Sequence, residues 1–371
     1  MMLDALVIGG GQAGLAAAYH LQRRNLNFVV LDAHVRTGDS WRRRWEGLRL
    51  FSPQRFNRLP GLPPDQDDWY LPTRREVADY LEHYARHFNL PIHGDQRVRR
   101  VTYDRGYRVE TNERTYHARQ VIVATGAYRT PRIPTSLAER FPAPVSQYHS
   151  SEIRELGAVA DSGTEVLVVG AGASGQQLAR LAATAGAQVT LVGPQVPNLP
   201  RRLLGRDIYW WLYRSGIMSL RTDRIPGKWM LAEAGGEVTV GEPPPESEER
   251  SRIRRLTGEL TDYRDDTLHF RNTDDGPDSL LWPVRARGVV IWCTGFRNHY
   301  DWLPAAALEP ASRLPTHRGG VSNSLAGLYF LGLPNLRRPS SSLLGGVGRD
   351  AGEIVAILVD RHENAGDCTY L

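Results

Sequence analysis

The stretch Leu6-Val7-Ile8-Gly9-Gly10-Gly11-Gln12-Ala13-Gly14 reads as a short apolar strand running into a G-x-G-x-x-G turn. Leu15-Ala16-Ala17-Ala18-Tyr19-His20-Leu21 then predicts a helix, and Phe28-Val29-Val30-Leu31 a second strand that ends at Asp32. Each position has a physical reason. Gly9 permits the tight turn, Gly11 lets the backbone approach a pyrophosphate lying on the helix N-terminus, and Gly14 lets helix and strand pack closely. Asp32 is placed to accept hydrogen bonds from ribose hydroxyls. Such a glycine pattern alone is weak; the strand before it, the helix after it and the acid beyond make it specific.

The device occurs twice. Val166-Leu167-Val168-Val169-Gly170-Ala171-Gly172-Ala173-Ser174-Gly175 repeats the strand and turn, followed by a helical pattern from Gln176 and the strand Val189-Thr190-Leu191-Val192. Asp32 stands 23 positions after Gly9, and the same count from Gly170 lands on Gly193. A carboxylate there would repel a 2′-phosphate, and its absence admits one. Arg201 and Arg202 follow and are candidates to pair with that phosphate, with Arg180 a weaker alternative. The second site is therefore expected to take NADPH, on Gly170, Gly172, Ser174, Gly175, Arg201 and Arg202.

The bulk composition narrows the classes. A chain of 371 residues that is 41% hydrophobic suggests about two domains. No run approaches the ~20 apolar residues that cross a bilayer, and the N-terminus lacks a basic region before its apolar stretch, so a cytoplasmic protein is the default expectation. The net charge is +5, carried by arginine spread thinly along the chain, with Lys228 the sole lysine. That pattern fits solvated arginines and cofactor phosphates better than nucleic acid. The two cysteines, Cys293 and Cys368, form no C-x-x-C redox pair, and no His, Cys and acid grouping has metal-ligand spacing.

Two further strands end alike, Val121-Ile122-Val123 in Ala124-Thr125-Gly126 and Val289-Val290-Ile291-Trp292 in Cys293-Thr294-Gly295. Each is expected to close one nucleotide-binding unit. Residues 127–160 read as the crossing between units, 241–250 as an exposed loop and 257–271 as strands. The expected fold is α/β, with two Rossmann-like dinucleotide-binding domains of the three-layer ββα type. A nicotinamide domain, 158–288, is inserted into an FAD domain built from 1–157 and 289–371.

With these residues in place the chain resembles the class B flavin-dependent monooxygenases, a group that includes flavin-containing, Baeyer–Villiger and auxin-forming enzymes. It is most similar to the short bacterial NADPH/FAD oxidoreductases of that superfamily. Besides the two turns, the resemblance rests on Thr37-Gly38-Asp39-Ser40-Trp41-Arg42, Leu48-Arg49-Leu50-Phe51-Ser52-Pro53, the two Thr-Gly exits, Leu199-Pro200-Arg201-Arg202, and Leu344-Gly345-Gly346-Val347-Gly348. It implies that FAD is held by Gly9, Gly11, Gln12, Gly14, Asp32, Trp41, Val98, Thr125, Gly126 and Leu344, with Ser52 and Gln54 in a flavin-side loop. It implies that Thr294 and Gly295 join the NADPH site. The flavin would carry the chemistry through a C4a-(hydro)peroxyflavin, transferring oxygen from O₂ to a small organic substrate by N- or S-oxygenation or Baeyer–Villiger insertion. One segment departs from the family pattern F-x-G-x-x-x-H-x-x-x-[YFW]: His149 is present, but Val145 replaces the glycine, Phe141 stands eight positions before the histidine and Ile153 replaces the aromatic. That departure keeps open an NADPH-dependent reductase or oxidase and a non-catalytic flavin sensor.

Overall fold

The computed structural model describes residues 2–65, 67–222, 224, 239–240, 251–271, 277–282 and 287–367. The loop expected at 241–250, Lys228 and Cys368 lie outside them.

The first unit runs β1 (Leu3–Ile8), α1 (Gln12–Gln22), β2 (Phe28–Leu31), α2 (Arg74–His87), β3 (Ile92–His93) and β4 (Thr115–Val123). Its parallel sheet has the order Leu328–Phe330, β4, β1, β2, β3. Side chains alternate across a strand, so β1 sorts its residues between two layers. Ala5 and Val7 face α1, α2 and the C-terminal helix in one apolar cluster. Leu6 and Ile8 face Val101, Tyr107 and Val109 in another, on the antiparallel strands Val98–Tyr103 and Tyr107–Thr111. Helices, parallel sheet and antiparallel strands make the three layers. Thr73 and Glu76 close a reciprocal capping box that starts α2.

The second unit repeats the plan with β5 (Ser146–His149), β6 (Glu165–Val169), α3 (Ala173–Thr184), β7 (Gln188–Gly193), α4 (Ile208–Arg214), β8 (Ile253–Thr257) and β9 (Gly288–Trp292). The sheet order is β8, β7, β6, β9, β5, and all pairs are parallel. Val166 and Val168 pack on α3, while Leu167 and Val169 pack towards the antiparallel strands Glu259–Arg264, Thr267–Arg271 and Ser279–Leu281. The sheet reaches past the expected insert of 158–288, because β5 lies before it and pairs with β9, whose partner on the other side is β6. This pairing gives the buried strand β9 a hydrogen-bonded neighbour on both sides.

The chain then returns to the first sheet as β10 (Leu328–Phe330) and ends in α5 (Leu344–Asp367). Among the described residues no helix is long and apolar enough to cross a membrane.

Candidate functional site

The two glycine turns are copies of one geometry. Gly9 and Gly170 both have φ of +112°, and a Cβ at either would lie 2.5 Å from the Ala124 carbonyl oxygen or 2.3 Å from that of Cys293. The two strand exits noted in the sequence are thus the surfaces against which the turns fold. A Cβ on Gly14 would lie 1.8 Å from the Gly9 carbonyl oxygen, and one on Gly175 equally 1.8 Å from that of Gly170. Gly11 and Gly172 N-cap α1 and α3 without any side-chain cap, which leaves the first amides of both helices for a ligand.

The copies differ at the end of the second strand. Asp32 is buried; its Oδ2 accepts from the Gly10 amide at 3.1 Å, and its Oδ1 accepts from the His34 amide at 2.9 Å. At the matching place a Cβ on Gly193 would meet the Ala171 amide nitrogen at 2.5 Å. No side chain of any kind fits there without moving the turn, so the ribose-reading acid is replaced by backbone.

A cavity of about 340 Å³ opens beside the first turn. Gly9, Asp32, Val98 and Thr125, four of the residues expected at the FAD site, line it together with His34 and Gln96, which the sequence did not single out. The Thr125 hydroxyl is buried there with no protein partner, and nothing occupies the space where a Gly11 Cβ would stand. Arg43, Arg44, Arg97, Arg129 and Arg154 also line the cavity, against the single carboxylate of Asp32. A helix N-terminus, an unanswered hydroxyl, a ribose acid and an excess of guanidinium groups fit the adenosine-diphosphate half of a dinucleotide.

The remaining expected FAD residues gather around the N-terminal end of α1 and the loops beside it. Trp41 donates through Nε1 to Gln12 Oε1 at 3.4 Å, and Gln12 Nε2 donates to the Ser342 carbonyl at 3.3 Å, just before the buried Leu344 that opens α5. Gly126 follows Thr125 with φ of +69°. The Ser52 hydroxyl donates to Asn57 Oδ1 at 2.6 Å and Gln54 is buried, so this loop is closed on itself beside α5.

Of the expected NADPH residues, Gly170, Gly172, Ser174 and Gly175 form the second turn and the start of α3. Thr294 donates to the Arg132 carbonyl, and the Gly295 carbonyl accepts from His149 Nε2 at 2.9 Å. The Arg201 guanidinium donates to the Phe51 carbonyl and pairs with Asp207 Oδ2 at 2.7 Å, which ties α4 to the flavin-side loop. Arg202 is exposed on the short strand Arg202–Leu203.

His149 is fully buried. A carbonyl can only accept, so Nε2 carries the proton and Nδ1 accepts from the Ser151 hydroxyl at 2.8 Å. Burial pushes its pKa below the ordinary histidine value, with the Gly295 hydrogen bond opposing. The neutral ring thus joins β5 to the turn after β9. Ile153 is buried in the apolar cluster that also holds Trp45, so the departure from the family pattern is a repacked core position. Burial pushes the Cys293 thiol up to about 12. That is the opposite of the low-pKa thiolate that disulfide chemistry uses.

Comparison with known proteins agrees with this geometry. Residues 6–201 match the family model for pyridine nucleotide-disulphide oxidoreductases. The chain is 34% identical to an uncharacterized CzcO-like oxidoreductase of Geobacillus kaustophilus, over 94% of this chain and 96% of that one. It is 27% identical to the indole-3-pyruvate monooxygenase YUCCA4 of Oryza sativa, over 98% of this chain and 88% of the relative. The solved flavin-containing monooxygenase of Stenotrophomonas maltophilia is 27% identical and superposes with a TM-score of 0.74, over 97% of this chain and 99% of that one. The chain belongs to the pyridine nucleotide-disulphide oxidoreductase family and is an oxidoreductase of the class B flavin-dependent monooxygenase superfamily.

Proposed function

We propose that this protein binds FAD in the unit built from both chain ends and NADPH in the inserted unit, and uses them to oxygenate a small organic substrate with O₂. The observation that carries the reading is the pair of matching phosphate cradles, one with a buried acid and one with Gly193. Bound FAD would supply the two-electron carrier between nicotinamide and oxygen. The protein's own part is positioning. The α1 amides and the cavity arginines neutralise pyrophosphate, Asp32 orients ribose, and the Thr125 hydroxyl answers a polar ligand atom. At the second site the α3 amides hold the other pyrophosphate, and Arg202 is the exposed guanidinium available to a 2′-phosphate.

The substrate class follows from what is lacking as well. Among the described residues the one cysteine has a suppressed thiol, which disfavours transfer of electrons to a protein dithiol. An amine, a thioether or a ketone is the acceptor expected of an oxygenase. A second reading, an NADPH-dependent reductase or oxidase, draws on the altered segment around His149, where Val145 and Ile153 serve as core. The test is turnover under ¹⁸O₂ with NADPH and one substrate of each class. Label in the product with little peroxide supports oxygenation. Peroxide equal to the NADPH consumed, with no labelled product, supports the second reading.

A further inference from the structure

Arg44 has an unusual setting for a cation. It carries no ion pair or hydrogen bond from its side chain among the described residues, and it lines the cavity next to Arg154. Its guanidinium carbon lies 5.8 Å from the Tyr128 ring centre and 5.5 Å from that of Phe296. Those rings meet edge to face at 5.5 Å. Tyr128 follows the exit turn of the first sheet at Gly126, and Phe296 follows the exit turn of the second at Gly295. Phe296 also meets the His149 ring at 4.9 Å. Arg44 therefore sits where the exits of both sheets converge. Desolvation and the neighbouring Arg154 both disfavour its charge. Aromatic faces offset part of that cost, but a half-buried cation without a counter-ion is an incomplete arrangement.

We propose that Arg44 is completed by a phosphate of the dinucleotide bound in this cavity, and that loading the first site thereby fastens the junction between the two sheets. This rests on the reading that the first site takes FAD. Among the described lining residues Asp32 contributes the only carboxylate, and it already accepts from the Gly10 and His34 amides and meets the His34 ring at 3.0 Å, so a ligand phosphate would supply the anion that Arg44 lacks. Arg42 provides the contrast within the same tripeptide: it is taken up by Asp39, Asp79 and Glu82.

The test is FAD titration of apoprotein, followed by flavin fluorescence at low and high salt, for wild type, Arg44→Met and Arg44→Lys. Loss of one charged hydrogen bond predicts about 10- to 150-fold weaker FAD binding in Arg44→Met. Its affinity should also depend less on salt, because one screened charge pair is gone. Arg44→Lys should recover part of both. Hydrogen exchange of residues 126–132 and 294–297 should slow on FAD binding in wild type and much less in Arg44→Met. Where the methionine variant does not fold, Arg44→Gln takes its place. Arg44→Met binding within twofold of a wild type that itself binds FAD overturns this inference alone, as does a lysine variant indistinguishable from methionine. Wild-type apoprotein that takes up no FAD overturns the functional reading and this inference with it.

Discussion

Gly14 and Gly175 allow the two cradles to be disabled one at a time. The Cβ of an alanine at position 14 would stand 1.8 Å from the Gly9 carbonyl oxygen, whereas real Cβ atoms keep at least 3.0 Å, so the turn or α1 must move by no less than 1.2 Å. The obstacle is backbone, not the end of a flexible side chain, and both elements are fixed, since the Gly9 amide donates to the Leu31 carbonyl at 2.7 Å. Overpacking of this kind costs about 1–3 kcal/mol. If the strain falls on the ligand-bound geometry, FAD affinity drops about 5- to 150-fold. Gly175 meets the Gly170 carbonyl at the same 1.8 Å, so Gly175→Ala should impose the same penalty at the other site. The assay is the flavin-to-protein ratio of purified, dialysed protein together with the Kd for NADP⁺. Gly14→Ala should lose flavin. Gly175→Ala should keep flavin and bind NADP⁺ more weakly. Full flavin occupancy in Gly14→Ala, or flavin loss in Gly175→Ala alone, would refute the assignment of the two turns.

Other outcomes follow from the same contacts. Arg201→Ala removes a charged hydrogen bond and an ion pair that join α4 to the flavin-side loop, so it should destabilise folding by about 1.5–3 kcal/mol and change KM for NADPH and NADH by similar factors; denaturant midpoints and both KM values decide this, and a selective loss of NADPH would restore Arg201 to the 2′-phosphate. Burial lowers the pKa of His20, His149 and His317 from the ordinary 6.5. Between that value and each lowered one the unfolded chain binds protons that the folded chain does not, so stability should fall as the pH drops below about 6.5 and level off once the folded histidines protonate; a flat denaturant midpoint across that range would contradict it. Cys293→Ala should leave NADPH consumption nearly unchanged, and native protein at mildly alkaline pH should resist iodoacetamide at Cys293, with rapid alkylation seen by mass spectrometry as the contrary result.

The fold was legible because its signals are local. Gly9, Gly14, Gly170 and Gly175 punctuate strand–turn–helix units whose apolar strands are too regular to miss. The Thr125-Gly126 and Thr294-Gly295 exits are a visible pair in the sequence, and the carbonyls of Ala124 and Cys293 just before them are the walls behind the two turns. Contacts between residues far apart in the chain carry no such local signal. Asp207 and Phe51 become partners of Arg201 only when α4 folds back towards residue 51. Arg44 stands in a run of three arginines, and it is set apart from Arg42 by the carboxylates that take up Arg42 and by the meeting of Tyr128 with Phe296 across 168 positions. The same holds for β5, a polar-looking strand, Ser-Gln-Tyr-His, that gains its place by pairing with β9.

On the proposed function, two dinucleotides are held in one chain so that a hydride can pass between them. Anaerobic titration of FAD-loaded protein with NADPH, followed by flavin absorbance, tests it most directly. Wild type should bleach with one NADPH per flavin, and Gly175→Ala should retain its flavin yet bleach far more slowly at the same NADPH concentration. A protein that never takes up flavin, or one whose bound flavin stays fully oxidised under excess NADPH, would contradict the account.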